Sequence, residues 1–288
     1  MHAETRFVYL NSRLLPVAAA MVSVFDRGFA YGDALFETMK VSAGCPVFFD
    51  DHFQRLNQGM AEAGFSTHLD SQGLASQATS LAEVNGVEGG RLRIMLSRGT
   101  PPRPAGLDPG SGLRPTLLVT ADPFAGHPPA IYREGVVCRT VRLNRGGYAR
   151  LKSSGLIASV IARREAHDAG AFEAIFTDGH GRMLEGSVSN IFFHDGETLA
   201  TAPGTSHILA GVTRQKVLDI AGELDIPVVY KALKVEELDP GAASAFITGS
   251  VLGICPVREI DGVLLRLDTG LTGRLSARLG ELEQASIG

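Results

Sequence analysis

Two hydrophobic periodicities alternate along the chain. In five segments apolar residues recur every three or four positions, which is the spacing of one buried face of a helix. These segments lie at about 49–63, 70–84, 155–169, 211–223 and 268–284. Short apolar or alternating runs between them predict strands. The runs lie at 6–16, 35–41, 91–97, 115–120, 136–143, 188–193, 198–201, 228–230 and 245–257. Helices and strands mix over the whole length, so the pattern predicts an α/β (α+β) fold.

Residues 14–25 form a mostly apolar run near the N-terminus, with Arg13 directly before it. Such a run is typical of the hydrophobic core of a signal peptide, and it is too short to span a bilayer. The competing interpretation is a β-hairpin over 6–16 with Asn11 and Ser12 at its turn. We expect the hairpin, because strand-forming residues flank a polar turn on both sides.

The predicted strand after the turn at 31–33 has two chemically different faces. Successive side chains of a strand point to opposite sides of the sheet. The alternation places Leu35, Glu37 and Met39 on one face and Phe36, Thr38 and Lys40 on the other. We interpret the second face as the one that faces a pocket.

Length and composition limit the number of domains. The 288 residues are 44% hydrophobic and 20% charged, which suits one large or two smaller globular domains. The segment 121–131 contains three prolines and one glycine and few periodic apolar residues. We therefore predict a small N-terminal α/β domain over 1–120, a linker over 121–131 and a large C-terminal domain over 132–288.

Charge and cysteine content exclude several classes of partner. The formal net charge of −4 argues against a nucleic-acid groove, but not against a small anion held by local basic residues. Cys45, Cys138 and Cys255 are far apart and odd in number, so no disulfide framework or CxxC metal site is predicted. The eight histidines form no HExxH motif. We expect a cytoplasmic protein without a metal, a membrane span or a nucleic-acid partner.

Two residues within 150–193 carry groups that can act together on a carbonyl compound. Lys152 follows the glycine-rich segment 144–148 and opens a predicted helix. An amine that faces a pocket there can lose its proton and attack a carbonyl. Glu185 lies in a Gly/Ser turn before the strand 188–193, where its carboxylate can face a cationic ring nitrogen. Each has an ordinary alternative, a solvated lysine and a simple turn residue.

Three further places in the chain can hold a phosphate. Arg55 lies off the apolar stripe of its helix, where it is either an anion clamp or a solvated arginine. Val212 and Thr213 lie at a helix start, whose backbone N–H groups attract anions, although most helix starts bind nothing. Ser250 follows a strand and adds a hydroxyl. A phosphate site, a lysine and a carboxylate for a ring nitrogen together match pyridoxal 5′-phosphate (PLP).

Five motifs of the chain resemble, in the same order, those of the class IV (fold type IV) PLP enzymes. They are Tyr31-Gly-Asp-Ala-Leu-Phe36-Glu-Thr38, His52-Phe-Gln-Arg55-Leu56, Leu151-Lys152-Ser153, Glu185-Gly-Ser187-Val-Ser189-Asn190 and Gly211-Val212-Thr213-Arg214. In the family they form the substrate-facing strand, the phosphate arginine, the Schiff-base lysine, the pyridinium partner with its turn, and the phosphate-binding helix start. That family includes branched-chain aminotransferases, D-amino acid aminotransferases and 4-amino-4-deoxychorismate lyases.

The resemblance implies an architecture and a set of roles. It implies two α/β domains with the cofactor between them, and a homodimer in which a loop of the neighbouring small domain closes the pocket. Lys152 would anchor PLP and act as general acid and base, while Glu185 would keep the ring nitrogen protonated. The other cofactor contacts that it implies are Arg55, Ser187, Val212, Thr213 and Ser250.

The implied substrate is a small amino compound. Its candidate binding residues are Tyr31, Phe36, Lys40, Arg98 and Arg103. Arg98 and Arg103 belong to a proline-rich loop that either holds a carboxylate or is solvated surface. D-amino acid aminotransferases have a carboxylate-binding histidine two residues after such an arginine, where this chain has Ala105. Branched-chain aminotransferases have a tyrosine that contacts the cofactor hydroxyl where this chain has Ile157, which leaves Tyr148 as an alternative donor.

Two reactions stay open at this point. A 4-amino-4-deoxychorismate lyase expels pyruvate and leaves 4-aminobenzoate, whereas an aminotransferase moves an amino group to a 2-oxo acid. Thr38 matches a threonine that the lyases place near the reacting carbon, and Gly253 stands where the transaminases have a glutamate. Against the lyase, the segment that begins at Leu151 lacks the K-H-L-N-R of many lyases. We favour the lyase over the aminotransferase, and both over a non-catalytic PLP carrier, because Lys152 and Glu185 are intact.

Overall fold

The computed structural model describes residues 6–102, 106–142 and 148–288. Arg103, Ala105 and most of the glycine-rich segment before Lys152 lie outside the described residues, so the predictions on them stay predictions. The chain divides into two compact units. The first takes the described residues of Met1–Gly126 with Leu151–Gly155 and Glu283–Gly288, and the second takes those of His127–Arg150 and Leu156–Leu282.

A six-stranded antiparallel sheet forms the first unit. Its strands are β1 (Phe7–Leu10), β2 (Arg13–Pro16), β3 (Ala34–Ser42), β4 (Cys45–Pro46), β5 (Gly89–Thr100) and β6 (Arg114–Pro123). They lie in the order β2-β1-β6-β5-β3-β4. β1 and β2 form the predicted hairpin, with Asn11 and Ser12 at positive φ in its turn. β5 pairs with β3 along the whole length of β3, so β3 is firmly held within the sheet.

Helices accompany the sheet of the first unit, and the two longer ones pack on it through one hydrophobic core. They are α1 (Arg27–Tyr31), α2 (Phe49–Glu62) and α3 (Ser71–Val84), preceded by a 3-10 helix at Val17–Ala19. The apolar stripe predicted for α2 is present, since Leu56 and Met60 are buried in the core. Leu35 and Met39 of β3 belong to the same core. The face of β3 that carries these two residues therefore faces the helices.

Nine strands form the sheet of the second unit. They are β7 (Val136–Val141), β8 (Glu173–Thr177), β9 (Met183–Gly186), β10 (Asn190–His194), β11 (Leu199–Thr201), β12 (Val228–Tyr230), β13 (Ser244–Gly249), β14 (Gly253–Ile260) and β15 (Val263–Leu264). The order is β12-β11-β10-β13-β14-β7-β8-β9, and β15 pairs with β14. β9 also pairs with β10. The six strands β10, β13, β14, β7, β8 and β9 therefore form a closed ring without a free edge.

The described residues from Pro129 onward contribute four more helices. They are α4 (Pro129–Glu134), α5 (Ile157–Asp168), α6 (Val212–Glu223) and α7 (Thr269–Ala285), with 3-10 helices at Gly204–Ser206 and Val235–Glu237. Ala162 and Ala166 of α5 pack on Phe176 of β8, and such small side chains let a helix approach the sheet closely. Ile175, Ile191 and Ile247 belong to a separate apolar cluster. Strands of this sheet therefore contribute side chains to two separate apolar clusters.

The predicted linker contains more regular structure than its composition indicates. Its first residues belong to β6, which ends at Pro123, and α4 starts at Pro129. The two units divide between Gly126 and His127, within the predicted linker. Proline is tolerated in the first turn of a helix and at strand edges, so these prolines mark element ends rather than a loose segment.

Lys152 lies in a different unit from the one expected. The predicted helix at 155–169 begins only at Ile157, and the residues before it contact β3 through one isolated antiparallel bridge and two flanking backbone hydrogen bonds. The segment Leu151–Gly155 consequently clusters with the first unit, whereas the prediction had Lys152 within the domain 132–288. Backbone hydrogen bonds to a distant strand, which local periodicity does not reveal, cause this difference.

Candidate functional site

Backbone hydrogen bonds to β3 hold Lys152. Its carbonyl oxygen accepts a hydrogen bond from the N–H of Phe36 at 2.9 Å, and the N–H of Ser154 donates to the carbonyl of Ala34 at 2.9 Å. The residue between Lys152 and Ser154 forms an antiparallel bridge with β3. The sheet therefore fixes the backbone from which the amine extends.

The amine of Lys152 lies over an aromatic ring. Its Nζ is 4.7 Å from the centroid of Phe36, which is buried. Phe36 lies on the face of β3 opposite the one buried in the core. Strand alternation places Thr38 on the same face as Phe36, and its partner on β5 is Arg93. A ring, a hydroxyl and an amine therefore share one side of the first unit's sheet.

Arg93 is a candidate that the sequence analysis missed. Its guanidinium carbon lies 4.1 Å from the Phe36 ring centroid. Its Nε is buried and has no hydrogen-bond partner within the described part of the chain. Burial lowers the pKa of Arg93 below its usual value, but a guanidinium keeps its proton in proteins. A half-buried cation whose buried Nε has no partner among the described residues is suited to a carboxylate. The pairing of β3 with β5 was the signal that could have revealed Arg93.

Arg55 is paired with a buried glutamate. Its Nε donates to Oε1 of Glu37 at 2.8 Å, and its Nη2 donates to Oε2 at 2.5 Å. Nδ1 of His52 lies 2.7 Å from the same Oε2. Glu37 is 1% exposed, His52 is 0% exposed and the Arg55 side chain is 13% exposed. The bidentate contact fixes the plane of the guanidinium, so Arg55 is an ordered side chain rather than a solvated one.

These three side chains have defined charges at neutral pH. Burial alone would raise the pKa of Glu37, but hydrogen bonds from Arg55 and His52 outweigh it and bring this pKa to about 2. Burial lowers the pKa of His52, and the charges of Arg55 and Lys152 lower it further against the opposing effect of Glu37. Glu37 is therefore a carboxylate and His52 a neutral imidazole, whose Nδ1–H donates to Glu37.

Glu185 belongs to β9 rather than to the turn in which we predicted it. Its cross-strand partners are Phe176 on β8 and Asn190 on β10. Oε2 of Glu185 accepts hydrogen bonds from Nδ2 of Asn190 at 3.2 Å and from the N–H of Leu209 at 3.0 Å. The residue is 2% exposed. Two donors on one carboxylate oxygen fix the direction of this buried group.

The turn after Glu185 contains Ser187, another predicted cofactor contact. The Ser187 hydroxyl donates to Oε1 of Glu173 at 2.5 Å, and the Ser189 hydroxyl donates to Oε2 at 2.9 Å. All three residues are buried. The hydroxyl proton of Ser187 is thus directed to a neighbouring carboxylate, and its role toward a cofactor stays a prediction.

The start of α6 offers backbone donors. Val212 and Thr213 are its first two residues, and both are buried. The N-cap Gly211 lies so close to Asn190 that a Cβ there would be 2.1 Å from Oδ1 of Asn190. The first N–H groups of a helix have no acceptor inside the helix, so they can bind an anion. Ser250 lies half-buried in the turn that joins β13 and β14.

Arg98 lies in β5 rather than in the proline-rich loop where we predicted it, and groups of the protein itself hold it. Its Nε lies 2.8 and 3.0 Å from the two carboxylate oxygens of Asp33, and its Nη atoms donate to the carbonyls of Gly64 and Ala63 at 2.8 Å each. These contacts join the loop after α2 to the end of β5. The geometry supports a structural role for Arg98, and its predicted substrate contact stays a prediction.

The other predicted substrate residues differ in how accessible they are. Nζ of Lys40 forms an ion pair with Oε2 of Glu283 at 2.7 Å. Tyr31, the last residue of α1, is 48% exposed, and the guanidinium of Arg27 lies 5.0 Å from its ring centroid. Tyr148, the alternative donor to a cofactor hydroxyl, is exposed. The charge of Lys40 is therefore already paired with a carboxylate, whereas Tyr31 keeps an accessible surface.

The chemistry of the donor set fits the three functional groups of PLP, taken one at a time. An aldehyde needs an amine, which Lys152 supplies. A phosphate is bound by a cation or by free N–H donors; the guanidinium of Arg55 in the first unit is a group of the first kind, and the start of α6 in the second unit offers groups of the second kind. A protonated ring nitrogen needs a buried carboxylate, which Glu185 supplies. By contrast, the described residues contain no group of three or more His, Cys, Asp or Glu side chains that could hold a metal.

The helices of the described residues include none with the length and apolar character needed to cross a membrane.

The chain is similar to known proteins over nearly its whole length. A model of the family described as amino-transferase class IV matches residues 34–260. A putative branched-chain-amino-acid aminotransferase of Methanocaldococcus jannaschii is 32% identical over 278 residues, which are 95% of this chain and 94% of the relative. A D-alanine aminotransferase of Bacillus licheniformis is 31% identical over 280 residues, 97% of this chain and 96% of the relative. The crystal structure of 4-amino-4-deoxychorismate lyase from Pseudomonas aeruginosa superposes with a TM-score of 0.82 at 30% identity, covering 95% of this chain and 98% of the lyase.

Proposed function

Because this chain belongs to the amino-transferase class IV family and has its fold type IV architecture, we propose that it is a PLP enzyme that acts as a 4-amino-4-deoxychorismate lyase. When bound, PLP supplies a protonated pyridine ring that withdraws electrons from the reacting carbon of an amino substrate. The side chains of the protein bind, orient and move protons around that ring.

Lys152 is assigned as the covalent anchor and the proton carrier. Its backbone is fixed by β3, so the amine reaches a defined region, as proton transfer at one carbon requires. The purified protein should be yellow, and borohydride should fix the cofactor to Lys152. Lys152→Ala should lose both the label and turnover, while the exposed control Lys231→Ala should keep them. A label on another lysine would overturn the assignment.

Arg55, Thr213 and Glu185 are assigned to hold the cofactor in place. Glu37 occupies Nε and Nη2 of Arg55 and so sets the orientation of the guanidinium toward a phosphate. The start of α6 adds N–H donors and the hydroxyl of Thr213. The buried carboxylate of Glu185 is suited to the ring nitrogen, because a buried charge gains most from a cationic hydrogen-bond partner.

A hydroxyl on the face of β3 that also carries the ring beneath the amine supports the lyase. Thr38 lies on the same face of β3 as Phe36, and the Phe36 ring contacts Nζ of Lys152. Such a hydroxyl can relay a proton while a substituent leaves, and transamination has no step that needs this relay. This shared face is the observation on which the choice of reaction rests.

The turn between β13 and β14 agrees with that choice. Gly253 has φ +71°, a backbone conformation that side chains rarely adopt. The branched-chain aminotransferases that the sequence resembles have a glutamate at this position. In this chain the turn instead ends at a glycine, the first residue of β14, whose conformation would strain a glutamate.

An aminotransferase is the second candidate, and the names of two relatives favour it. The relatives with 32% and 31% identity are called a branched-chain and a D-alanine aminotransferase. Both reactions require an amine, a partner for the ring nitrogen and a phosphate anchor, so Lys152, Glu185 and Arg55 serve either one. The two reactions differ only in the steps that follow removal of the first proton.

Product analysis separates the two reactions. The purified holoenzyme should receive chorismate, glutamine and the amidotransferase that produces aminodeoxychorismate, and 4-aminobenzoate and pyruvate should appear in equal amounts. Parallel reactions should contain D-alanine or branched-chain L-amino acids with 2-oxoglutarate. Fast amino transfer without any 4-aminobenzoate would establish the aminotransferase instead.

Arg93 is assigned to a carboxylate of the substrate. Both candidate substrates carry a carboxylate, so the assignment does not depend on the reaction. The buried Nε of Arg93 has no partner among the described residues, and its guanidinium contacts the same ring as Lys152. A carboxylate bound there would lie on the face of the sheet that carries the amine.

A second copy of the chain is the proposed partner. In the first unit, Met21, Val24 and Phe29 are 81%, 68% and 77% exposed. These three residues fall within nine positions of the chain, and large exposed apolar patches mark interaction surfaces. Light scattering coupled to size exclusion should show a dimer that Phe29→Glu dissociates, while Leu264→Glu, at another exposed apolar residue, should leave it intact. A monomeric wild type would contradict the homodimer.

A further inference from the structure

Glu173 is a buried carboxylate to which the proposed chemistry assigns no role. It is the first residue of β8 and is 1% exposed. Oε1 accepts hydrogen bonds from the Ser187 hydroxyl at 2.5 Å, from the N–H of Ser187 at 3.2 Å and from the N–H of Ala174 at 2.9 Å. Oε2 accepts from the Ser189 hydroxyl at 2.9 Å, and Arg163 forms an ion pair at 3.4 Å. Burying a carboxylate costs free energy unless hydrogen bonds and a cation compensate its charge. These contacts supply that compensation and fix the orientation of the Glu173 side chain.

The contacts of Glu173 converge on the turn directly after Glu185. A Cβ on Gly186 would lie 3.1 Å from both Cγ and Cδ of Glu173 and 2.0 Å from the Ser189 hydroxyl oxygen. Only a glycine therefore fits at position 186, between the side chains of Glu173 and Ser189. The N–H of Gly186 also donates to the carbonyl of Ser189 at 2.7 Å. Glu173 thus holds the turn through packing at its start and hydrogen bonds at both serines.

This turn sets the register between the strands on either side of it. In the described residues, β9 and β10 are paired through Glu185 and Asn190 alone. A slip of one residue moves side chains to the opposite face of a sheet. Nδ2 of Asn190 donates to Oε2 of Glu185, so a slip would also break that contact. The direction of the Glu185 carboxylate consequently depends on the turn that Glu173 holds.

We propose that Glu173 is a positioning residue that, through Ser187 and Ser189, holds Glu185 where it meets the pyridine nitrogen of PLP. The proposal rests on the role proposed above for Glu185. A glutamate that only stabilised the fold would affect every cofactor analogue alike. A positioning residue affects only ligands whose ring carries the nitrogen.

Binding of two cofactors to the apoprotein tests this difference. One is PLP, and the other is 1-deazapyridoxal 5′-phosphate, which has a carbon in place of the ring nitrogen. Glu173→Gln keeps the shape of the side chain and removes its charge. Absorbance titration should show that the variant binds PLP about tenfold more weakly, as expected when one charged hydrogen bond is weakened. Its affinity for the deaza analogue should equal that of the wild type.

Further variants keep the test decisive. Ser189→Ala removes one donor to Glu173 and should shift PLP binding in the same direction by a smaller factor, which covers the case that Glu173→Gln does not fold. Glu165→Gln, on the exposed surface of α5, is the matched control and should change neither affinity. Equal losses for both ligands in Glu173→Gln or Ser189→Ala would overturn the proposal.

Glu185→Gln distinguishes failure of this inference from failure of the proposed function. If it loses the preference for PLP over the deaza analogue while Glu173→Gln and Ser189→Ala keep the preference, Glu173 is not a positioning residue and the role of Glu185 stands. If Glu185→Gln leaves PLP binding unchanged, the role proposed for Glu185 is wrong and the inference falls with it.

Discussion

The buried pair of Glu37 and Arg55 makes stability depend on pH in a defined direction. The pKa of Glu37 is about 2 in the folded chain against a reference of 4.5. A carboxyl group with a lowered folded pKa stabilises the folded state above the unfolded value, and this stabilisation is lost as the pH falls through the folded value. This lowering of the pKa corresponds to about 3 kcal/mol of stability, at about 1.4 kcal/mol per pKa unit.

Glu37→Gln is the perturbation that isolates this contribution. At pH 7 the variant should be less stable than the wild type, because Arg55 loses the carboxylate that neutralises it. Between pH 7 and pH 3 the wild type should lose about 2 kcal/mol more unfolding free energy than the variant, with the rest lost below pH 3. His52 also disfavours low pH, since its pKa is lowered from 6.5, so some loss is expected in both proteins.

Urea unfolding of the apoprotein measures these free energies. Apoprotein is required, because a bound cofactor would add its own pH dependence. Far-UV circular dichroism is the suitable signal, since the chain has no tryptophan. Glu88→Gln, at an exposed glutamate, is the control and should follow the wild type at every pH. If wild type and Glu37→Gln lose stability in parallel from pH 7 to pH 3, the buried ion pair does not carry the charge assigned to it.

Three further changes test the proposed site. Arg55→Ala should weaken PLP binding by about 2–3 kcal/mol but leave the affinity for pyridoxal, which lacks the phosphate, unchanged. Equal losses of affinity for PLP and pyridoxal would show that Arg55 supports the fold rather than the phosphate. Thr38→Val should lower 4-aminobenzoate formation by about 10²–10³ while any side transamination survives, and both rates should be measured in the same preparation. Arg93→Gln should raise KM for the carboxylate substrate about tenfold with little change in kcat, and an effect on kcat alone would contradict its binding role.

Local pattern was sufficient for the elements that surround the site. The period of the apolar residues gave the buried stripe of α2 with Leu56 and Met60, and alternation gave the two faces of β3. These signals are strong because each element buries one face against one core. The polar turn at Asn11 and Ser12 likewise predicted the first hairpin.

Long-range pairing is what the sequence did not reveal. Lys152 stands five residues before a helix and was assigned to its start, yet its backbone pairs with β3, more than a hundred residues earlier in the chain. Arg93 was assigned only to a strand, because its position opposite Thr38 depends on the register of β3 and β5. Hydrogen bonds between distant segments leave no trace in local periodicity, so neither position was predictable from spacing.

One signal was present in the sequence and was not used. Glu37 falls on the apolar face of β3, between Leu35 and Met39, where a charge is unfavourable unless a cation and hydrogen-bond donors surround it. Such a residue predicts a buried basic partner on the helix that covers that face. The next helix has Arg55 and His52 on it, and both contact Glu37.

Buried carboxylates are a poor way to stabilise a fold, because well-packed apolar residues of similar size often serve as well or better. Glu37 and Glu173 are each 1% exposed, and each contacts a segment with a proposed role in binding the cofactor. Glu37 directs the guanidinium of Arg55 itself, whereas Glu173 acts on Glu185 only through the turn between them. Any substitution that removes the charge of Glu37 should therefore weaken phosphate binding. Substitutions at Glu173 should weaken PLP binding only as far as they loosen the turn. Loss of the Ser189 hydroxyl removes one hydrogen bond between the turn and Glu173, so it is expected to act in the same direction and more weakly.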